Sequence, residues 1–469
     1  MKVLALLLAC LSLGAAEKFE WRGYYLTFMR MPVMGLPEWK QSMDCFAEDG
    51  ANVVVLWMGG GFRSKKFPIT WAYNAEHANV REDFARELID YAHSKGIKVL
   101  LGFTPFGYDG VNRYALEHPE LKARKADGSA VDEFGIHCWG WNLCPAQEES
   151  QRFMREYVSE MVFDFYPNAD GLLVESSDYS VCQCKDCGAK FYDNEFRFVR
   201  WLSDELWTRK KDALILVYPH YFTGGNVPGF DVKAAKQEFD PRWGLSFAPH
   251  SSHFAPELMA KARANFCWSD SPVLGTPRGI ASAARTGREH GANGFVPSLE
   301  AFSYIAQHTE VGESWLLGKR MKPFGLDALG EGKMPYRNLL VRVQRLAFRE
   351  FSKEPALTIE EFEQRLGTEI FGAEKKESVK DLLELQRIWN FERDWYWASP
   401  LLEPEFFEQR AHRLEWPKEK LVEYNRNLET LKGIAKRYGD AANSAEKEMS
   451  RLAESVVERW RDRKPSGRE

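Results

Sequence analysis

Long apolar segments are scarce in this sequence. Beyond the first sixteen residues, no stretch approaches the roughly 20 apolar residues that a membrane-spanning helix needs. The sequence also lacks a strong excess of either charge. Basic and acidic side chains are interspersed, and the formal net charge is −5 at pH 7. Nucleic-acid-binding proteins instead concentrate positive charge on one face. We therefore predict neither a membrane span nor a nucleic-acid partner.

Phosphate-binding glycine motifs are also missing. Three consecutive glycines stand at residues 59–61, but no G-x-G-x-x-G precedes a helix and no Lys-Ser/Thr pair follows. We interpret this run as a loop that needs unusual backbone angles. The basic residues after it, Arg63, Lys65 and Lys66, are interpreted as part of a solvated loop rather than as a site for an acidic sugar.

The first residues have the features of an export signal. Residues 1–16 combine one lysine, a short apolar run and the small residues Gly14 and Ala16, which is typical of a secretory signal peptide cleaved before Glu17. The alternative is a lipoprotein anchor at Cys10, although the apolar run continues beyond that cysteine. We predict a secreted or periplasmic protein.

Strand-like and helix-like segments alternate eight times across residues 17–330. This alternation is typical of an α/β protein with a (β/α)8 TIM barrel. A doubly wound open sheet is the alternative, but the number of repeats and the long loops after the strands favour the barrel. The predicted strands are residues 22–28, 52–57, 97–103, 172–174, 213–218, 244–249, 265–270 and 293–297. The predicted helices between them include residues 80–94 and 147–165.

From residue 331 the sequence pattern changes from alternating strands and helices to helical periodicity alone. Residues 337–351, 358–371, 375–397 and 418–461 each place apolar side chains at helical spacing. We predict a helical C-terminal domain over residues 331–469.

One stretch, residues 166–188, brings a buried strand, a carboxylate and a cysteine cluster together. Glu175 follows the apolar run Leu172, Leu173 and Val174 directly. In parallel α/β folds the C-terminal ends of the strands carry the chemistry. A carboxylate at such a position needs a polar site to face, because burying an unpaired charge is costly. Glu175 is therefore the first catalytic candidate.

Other strand ends add carboxylates, histidines and aromatic residues, a combination that suits a carbohydrate substrate. Glycoside hydrolysis needs a carboxylic acid for the leaving oxygen and a second carboxylate. With Glu175 as the acid, the second carboxylate is sought among Asp178, Asp270 and Glu300. The candidate sugar-binding residues are Trp57, Tyr108, Tyr218, His220, His250 and Trp268. This chemistry requires no cofactor. Two alternatives stay open: a non-catalytic glycan-binding barrel, and a metal-assisted enzyme using His220, His250 and His253.

The cysteine cluster is a second sharp signal. Cys182, Cys184 and Cys187 form a C-x-C-x-x-C motif that can bind one tetrahedral zinc ion. Cys138, Cys144 or His137 is the candidate fourth ligand. Disulfides persist in exported proteins, so a disulfide from this cluster to Cys138 or Cys144 is the equal alternative. Spacing alone does not fix the connectivity.

Two segments resemble glycoside hydrolase family 20 hexosaminidases. Residues 22–30, RGYYLTFMR, resemble the strand-one motif R-G-x-x-L-D-x-x-R, and residues 84–101 look like that family's helix two and strand three. Residues 170–175 with the cysteine motif are similar to the strand-four region of hexosaminidase-like and α-glucuronidase-like barrels. The resemblance implies that Arg22 binds the hydroxyl groups of the sugar. The sequence departs at Thr27, where the motif has Asp, and at Val174, where the family has Asp before its catalytic Glu. It therefore implies a hydrolase-like barrel rather than substrate-assisted chemistry.

Overall fold

The computed structural model describes residues 18–26, 28, 34–72, 75, 78–108, 110–133, 140–176, 181–225, 227–248, 254–268, 276–298, 337, 339–395 and 418–461. Within them, eight parallel strands close into a barrel, which confirms the predicted fold class. Among the described helices, none has both the length and the apolarity that crossing a membrane requires.

The barrel strands follow the predicted alternation. They are β1 (Trp21–Leu26), β2 (Val53–Trp57), β3 (Lys98–Phe103), β6 (Gly171–Val174), β7 (Leu214–Val217), β8 (Trp243–Phe247), β9 (Asn265–Cys267) and β10 (Gly294–Phe295). A short antiparallel hairpin, β4 (Asp132–Glu133) and β5 (Gly140–Trp141), lies in the loop between β3 and β6. Around the barrel the order is β1, β10, β9, β8, β7, β6, β3, β2. The barrel closes where Trp21 of β1 pairs with Gly294 of β10.

Helices alternate with these strands, and the described elements after β10 are all helices. The helices between the strands are α1 (Leu36–Glu48), α2 (Ala78–Glu82), α3 (Ala85–Ser94), α4 (Tyr114–Glu117), α5 (Glu148–Ser159), α6 (Phe191–Arg209), α7 (His220–Thr223), α8 (Val232–Gln237), α9 (Pro256–Met259) and α10 (Pro277–Glu289). After the barrel come α11 (Leu339–Lys353), α12 (Ile359–Phe371), α13 (Lys376–Trp395), α14 (Lys418–Tyr438) and α15 (Ser444–Arg461).

Side chains alternate between two separate apolar cores. Because successive residues of a strand point to opposite faces, one set fills the barrel interior and the other packs under the helices. The interior set consists of Val53, Val55, Leu100, Leu173, Leu214, Leu216, Phe266 and Val296, with aromatic residues above them. The outer set includes Tyr24, Leu172, Val174 and Cys267. This alternation fixes which side chains reach the mouth of the barrel.

The first helix of the predicted C-terminal domain packs on the barrel itself. Phe348 of α11 contacts Tyr24 of β1 and Phe295 of β10, with ring centroids 4.3 and 6.1 Å apart. Arg345 of α11 forms a buried ion pair with Asp49, which follows α1: its Nε donates to Asp49 Oδ2 at 2.7 Å. Helix α11 therefore takes the place of the eighth barrel helix and covers the seam between β1 and β10.

Three predicted helices differ in detail from the observed ones. The helix expected over residues 80–94 is split into α2 and α3 at Asp83, which has a φ of 49°. The helix expected over residues 147–165 ends as α5 and continues as a π-helical turn, Glu160–Phe165. The long C-terminal helix is two antiparallel helices, α14 and α15, joined by a turn at residues 439–443.

Candidate active site

Glu175 lies at the C-terminal mouth of the barrel and faces its interior. Leu173 is an interior residue and Val174 an exterior one, so the next position points inward again. The backbone N–H of Glu175 donates to Phe103 O at 3.1 Å, which extends the pairing with β3 one residue beyond the strand. Its side chain is held by Tyr218, whose hydroxyl donates to Oε1 at 2.9 Å. Only 7% of the residue is exposed.

Aromatic side chains form an arc around the same mouth. The arc starts at Tyr108, passes through Trp57, Tyr25 and Trp268, and ends at Tyr218. Successive ring centroids lie 6.1, 6.0, 6.0 and 6.2 Å apart. Since Tyr218 donates to Glu175, the arc ends on the carboxyl group. Such faces offer the apolar surface on which a sugar ring can lie.

A group of polar contacts fixes the loops beside Glu175. The Tyr221 hydroxyl donates to Glu175 O at 3.1 Å, and Ser176 Oγ lies 2.6 Å from His220 Nδ1. Burial, followed by the nearby Glu195 carboxylate, raises the pKa of Tyr221 well above its ordinary value. Tyr221 therefore remains a protonated donor at all physiological pH values. These contacts connect Glu175 and Ser176, at the start of the loop after β6, to helix α7.

The loop after β3 carries unusual backbone conformations. Phe106 and Tyr108 have φ values of 64° and 58°, in the left-handed region that such side chains rarely adopt. The carbonyl of Phe106 accepts a hydrogen bond from Leu143 N at 2.7 Å, which ties this loop to the segment after the hairpin. Gly102 stands beside Trp57, and a Cβ there would lie 3.2 Å from the indole. These features place Tyr108 against Trp57 at the mouth, where strained residues often mark functional sites.

The structure brings five of the predicted site residues to the mouth beside Glu175: Trp57, Tyr108, Tyr218, His220 and Trp268. Their role in binding sugar stays a prediction. The predicted second carboxylates Asp178, Asp270 and Glu300 lie outside the described residues, as do His250 and His253.

Arg22 is not at this site. It is the second residue of β1. Its side chain points to the outer face of the barrel, at the N-terminal end of the strand. There its Nη1 donates to Phe19 O at 2.5 Å and its Nε donates to Gly50 O at 3.3 Å. The role that the resemblance implied for Arg22 is therefore wrong, because the catalytic rim of a TIM barrel is formed by the opposite ends of the strands.

Val174, the residue directly before Glu175, faces away from the mouth. It is fully buried among the outer core residues, on the face of β6 that the helices cover. No acidic group reaches the mouth from the position directly before Glu175.

Tyr25 and Ser176 are site residues that the sequence analysis missed. Tyr25 lies in the aromatic arc, and Ser176 contacts His220. The signal for Tyr25 was present in the sequence, since Trp21, Gly23 and Tyr25 share the interior face of one strand. The contact of Ser176 depends on the course of the loop and carried no sequence signal.

A cluster of four cysteines lies beside this mouth. Cys144, at the end of the loop that follows β3, joins Cys182, Cys184 and Cys187 in the loop that follows β6. Cys144 is thus a predicted fourth partner that lies beside the other three cysteines. Cys138 and His137 lie outside the described residues.

Comparisons with known proteins bear on the fold. The sequence matches no family model and no curated protein. Among solved structures, it superposes on a GH138 enzyme targeting pectin rhamnogalacturonan II with a TM-score of 0.54 and 12% identity, over 94% of this chain and 57% of that one. The chain therefore spans little more than half of that enzyme's length. The fold that the two chains share is a (β/α)8 TIM barrel.

Two family GH20 structures are also similar at lower TM-scores. The Flavobacterium johnsoniae chitobiase superposes with a TM-score of 0.47 at 12% identity, over 94% of this chain and 71% of that one. The Vibrio harveyi exo-β-N-acetylglucosaminidase, solved with N-acetylglucosamine, gives 0.49 at 13% identity, over 78% of this chain and 58% of that one.

Proposed function

We propose that this chain is an exported glycoside hydrolase that cleaves O-glycosidic bonds of oligo- or polysaccharides, with Glu175 as the general acid. The observation that carries the proposal is the inward-facing, hydrogen-bonded carboxyl group of Glu175 at the C-terminal mouth, at the end of an aromatic arc. General acids in glycosidases work from sites that shield the carboxyl group from water. The fold agrees with this reaction.

In the proposed mechanism, Glu175 protonates the glycosidic oxygen as its bond to the anomeric carbon breaks. Tyr218 holds the carboxyl group through Oε1 and so limits its rotation. The aromatic arc would bind the apolar faces of the sugar, and His220 would hydrogen-bond to its hydroxyls. No cofactor takes part in these steps.

The second carboxylate is proposed among Asp178, Asp270 and Glu300. Its distance from Glu175 would decide the stereochemistry: about 5–5.5 Å suits a retaining enzyme, and about 6.5–9.5 Å leaves room for the water of an inverting one. Replacing each of the three with the corresponding amide would identify it. Rescue of one variant by azide, with a glycosyl azide as product, would assign that residue as a nucleophile or base.

The proposal is tested by screening the purified protein with chromogenic hexosaminides, glucuronides, galactosides and fucosides, followed by oligosaccharides. Hydrolysis of one class, lost on replacement of Glu175, supports the proposal. Absence of turnover across the panel and across natural polysaccharides would contradict it.

Tyr218→Phe tests the hydrogen bond to Glu175. Glu175 becomes a carboxylate as it gives up its proton. A hydrogen bond to a charged group contributes about 1.5–3 kcal/mol, so kcat should fall about 10- to 100-fold. KM should change little, because phenylalanine keeps the ring in the arc. Tyr91→Phe is the control, since its hydroxyl also donates to a carboxylate, Asp44, but on the outside of the barrel. Equal kinetics of Tyr218→Phe and wild type would contradict a positioning role.

A glycan-binding barrel without catalysis is the second candidate. The observation that favours it is Val174, which stands where family 20 enzymes carry a catalytic Asp and which faces the helices. Calorimetric binding of an oligosaccharide that is recovered intact would support this function. Trp57→Ala should then abolish binding, whereas Glu175→Gln should not.

A further inference from the structure

Four thiols converge between two loops of the barrel mouth. The sulfur atoms of Cys144, Cys182, Cys184 and Cys187 all lie within 4.8 Å of one another. Cys144 precedes α5, and the other three precede α6, so the cluster joins loops from two adjacent strands, β3 and β6. Four protein sulfurs form a complete tetrahedral ligand set.

The distances fit a metal ion. Cys144 Sγ lies 3.7 Å from Cys184 Sγ and 3.6 Å from Cys187 Sγ. Four sulfurs at about 2.3 Å from a zinc ion form a tetrahedron with edges of about 3.8 Å. A disulfide would instead bring one pair to about 2.05 Å and leave the partner bonded to a single sulfur. Cys144 is almost equally distant from two sulfurs, as a tetrahedral ligand must be.

The surroundings also suit bound thiolates. Cys144, Cys182 and Cys187 are buried, and Cys184 is partly exposed. The backbone N–H of Arg124 donates to Cys182 Sγ at 3.3 Å, and Asn194 Nδ2 lies 3.9 Å from Cys187 Sγ. N–H donors of this kind orient metal-bound ligands and offset the negative charge on their sulfurs. Gln183 N also donates to Arg124 O at 2.7 Å. The cysteine loop after β6 is therefore hydrogen-bonded to the Arg124 segment in both directions.

We propose that Cys144, Cys182, Cys184 and Cys187 bind one structural zinc ion. With four protein ligands the ion has no open position for water or substrate, so it takes no part in the reaction. Its effect is mechanical: it ties the loop after β3 to the loop after β6, the one that begins at Glu175. The ion would thereby fix the segment that carries the proposed general acid.

The first test is the metal content of the full chain, purified without a metal-affinity step. Elemental analysis should give one zinc per chain. Exchange with cobalt(II) should produce the intense visible bands of tetrahedral thiolate coordination. Neither measurement depends on enzymatic activity. The zinc proposal can therefore fail while the proposed hydrolase function stands, and the hydrolase function can fail while the zinc proposal stands.

Variants then locate the ion. Cys184→Ser should lose the zinc or at least the four-sulfur cobalt spectrum, and Cys184 is chosen because it is the most exposed of the four. The matched control is Cys267→Ser, a buried cysteine of β9 whose thiol donates to Ala283 O and whose replacement keeps a donor. The control should retain one zinc per chain.

Thiol mapping of the wild-type protein keeps the proposal testable even if Cys184→Ser does not fold. In denaturant with a chelator and no reductant, all four thiols should react with an alkylating reagent. Disulfide-linked peptides among the four cysteines would overturn the assignment. So would an equimolar content of iron, or zinc retained with an unchanged cobalt spectrum in Cys184→Ser.

Discussion

Replacing Glu175 with glutamine is expected to lower kcat/KM by about 10²- to 10⁴-fold, the usual contribution of a general acid. Glutamine has almost the same shape and keeps an oxygen that can accept the hydrogen bond from Tyr218. What it lacks is a transferable proton. Sugar binding should therefore persist, and the loss should fall on kcat.

The leaving group provides an internal check of this result. A substrate with a nitrophenyl leaving group needs little protonation, so its hydrolysis by Glu175→Gln should be reduced far less than that of a natural disaccharide. Glu257→Gln is the control, because Glu257 pairs with Lys236 on the surface, away from the mouth. A loss of equal size for both leaving groups would contradict the role as an acid and point to a general disruption of the site.

Removing the guanidinium of Arg345 is expected to cost about 3–5 kcal/mol of unfolding free energy, because it leaves Asp49 as a buried charge without its ionic partner. Both residues are less than 10% exposed. Two nitrogens of Arg345 contact the two oxygens of Asp49 at 2.7 and 3.0 Å, and Tyr24 donates to the same carboxylate at 2.8 Å. Arg345→Leu should therefore lower the urea midpoint strongly.

A double-mutant cycle separates the ion pair from packing. The double variant Asp49→Leu/Arg345→Leu should be more stable than Arg345→Leu alone, since no unpaired charge remains. Arg81→Leu provides the surface control: its pair with Glu82 is exposed, and exposed pairs contribute about 0.2–1 kcal/mol. If Arg345→Leu cost no more than Arg81→Leu, α11 would not be anchored to the barrel by this contact.

The sequence was sufficient to predict the barrel and the position of Glu175 at the end of one of its strands. Eight apolar runs separated by helical periodicity are local signals, and Glu175 stands directly after one of them. The same alternation that turns Glu175 inward turns Arg22 outward. Arg22 is also the second residue of β1 and so lies at the N-terminal end of the barrel. The resemblance of a short motif outweighed that physical argument and gave a wrong role.

Other features depend on contacts that no local pattern contains. The break between α2 and α3 arises from the positive φ of Asp83, whose surroundings include Tyr166, 83 residues away in the chain. Likewise, the position of Cys144 beside the other three cysteines depends on how two loops meet. By contrast, the reversal between α14 and α15 carries local signals that the sequence analysis missed: Gly439 after α14, and Asn443, whose Oδ1 accepts from Ala445 N at 3.0 Å at the start of α15.

The seam between β1 and β10 has a consequence for biosynthesis. Trp21 pairs with Gly294, and the α11 helix that covers this seam contacts Asp49 from a position 296 residues later. The ring can therefore close only after Phe295 has been translated, and the seam can be covered only after Lys353 has been translated. Until the ring closes, the nascent chain carries two unsatisfied strand edges, which are prone to pair with other chains. Chaperone protection during synthesis would matter most over this interval.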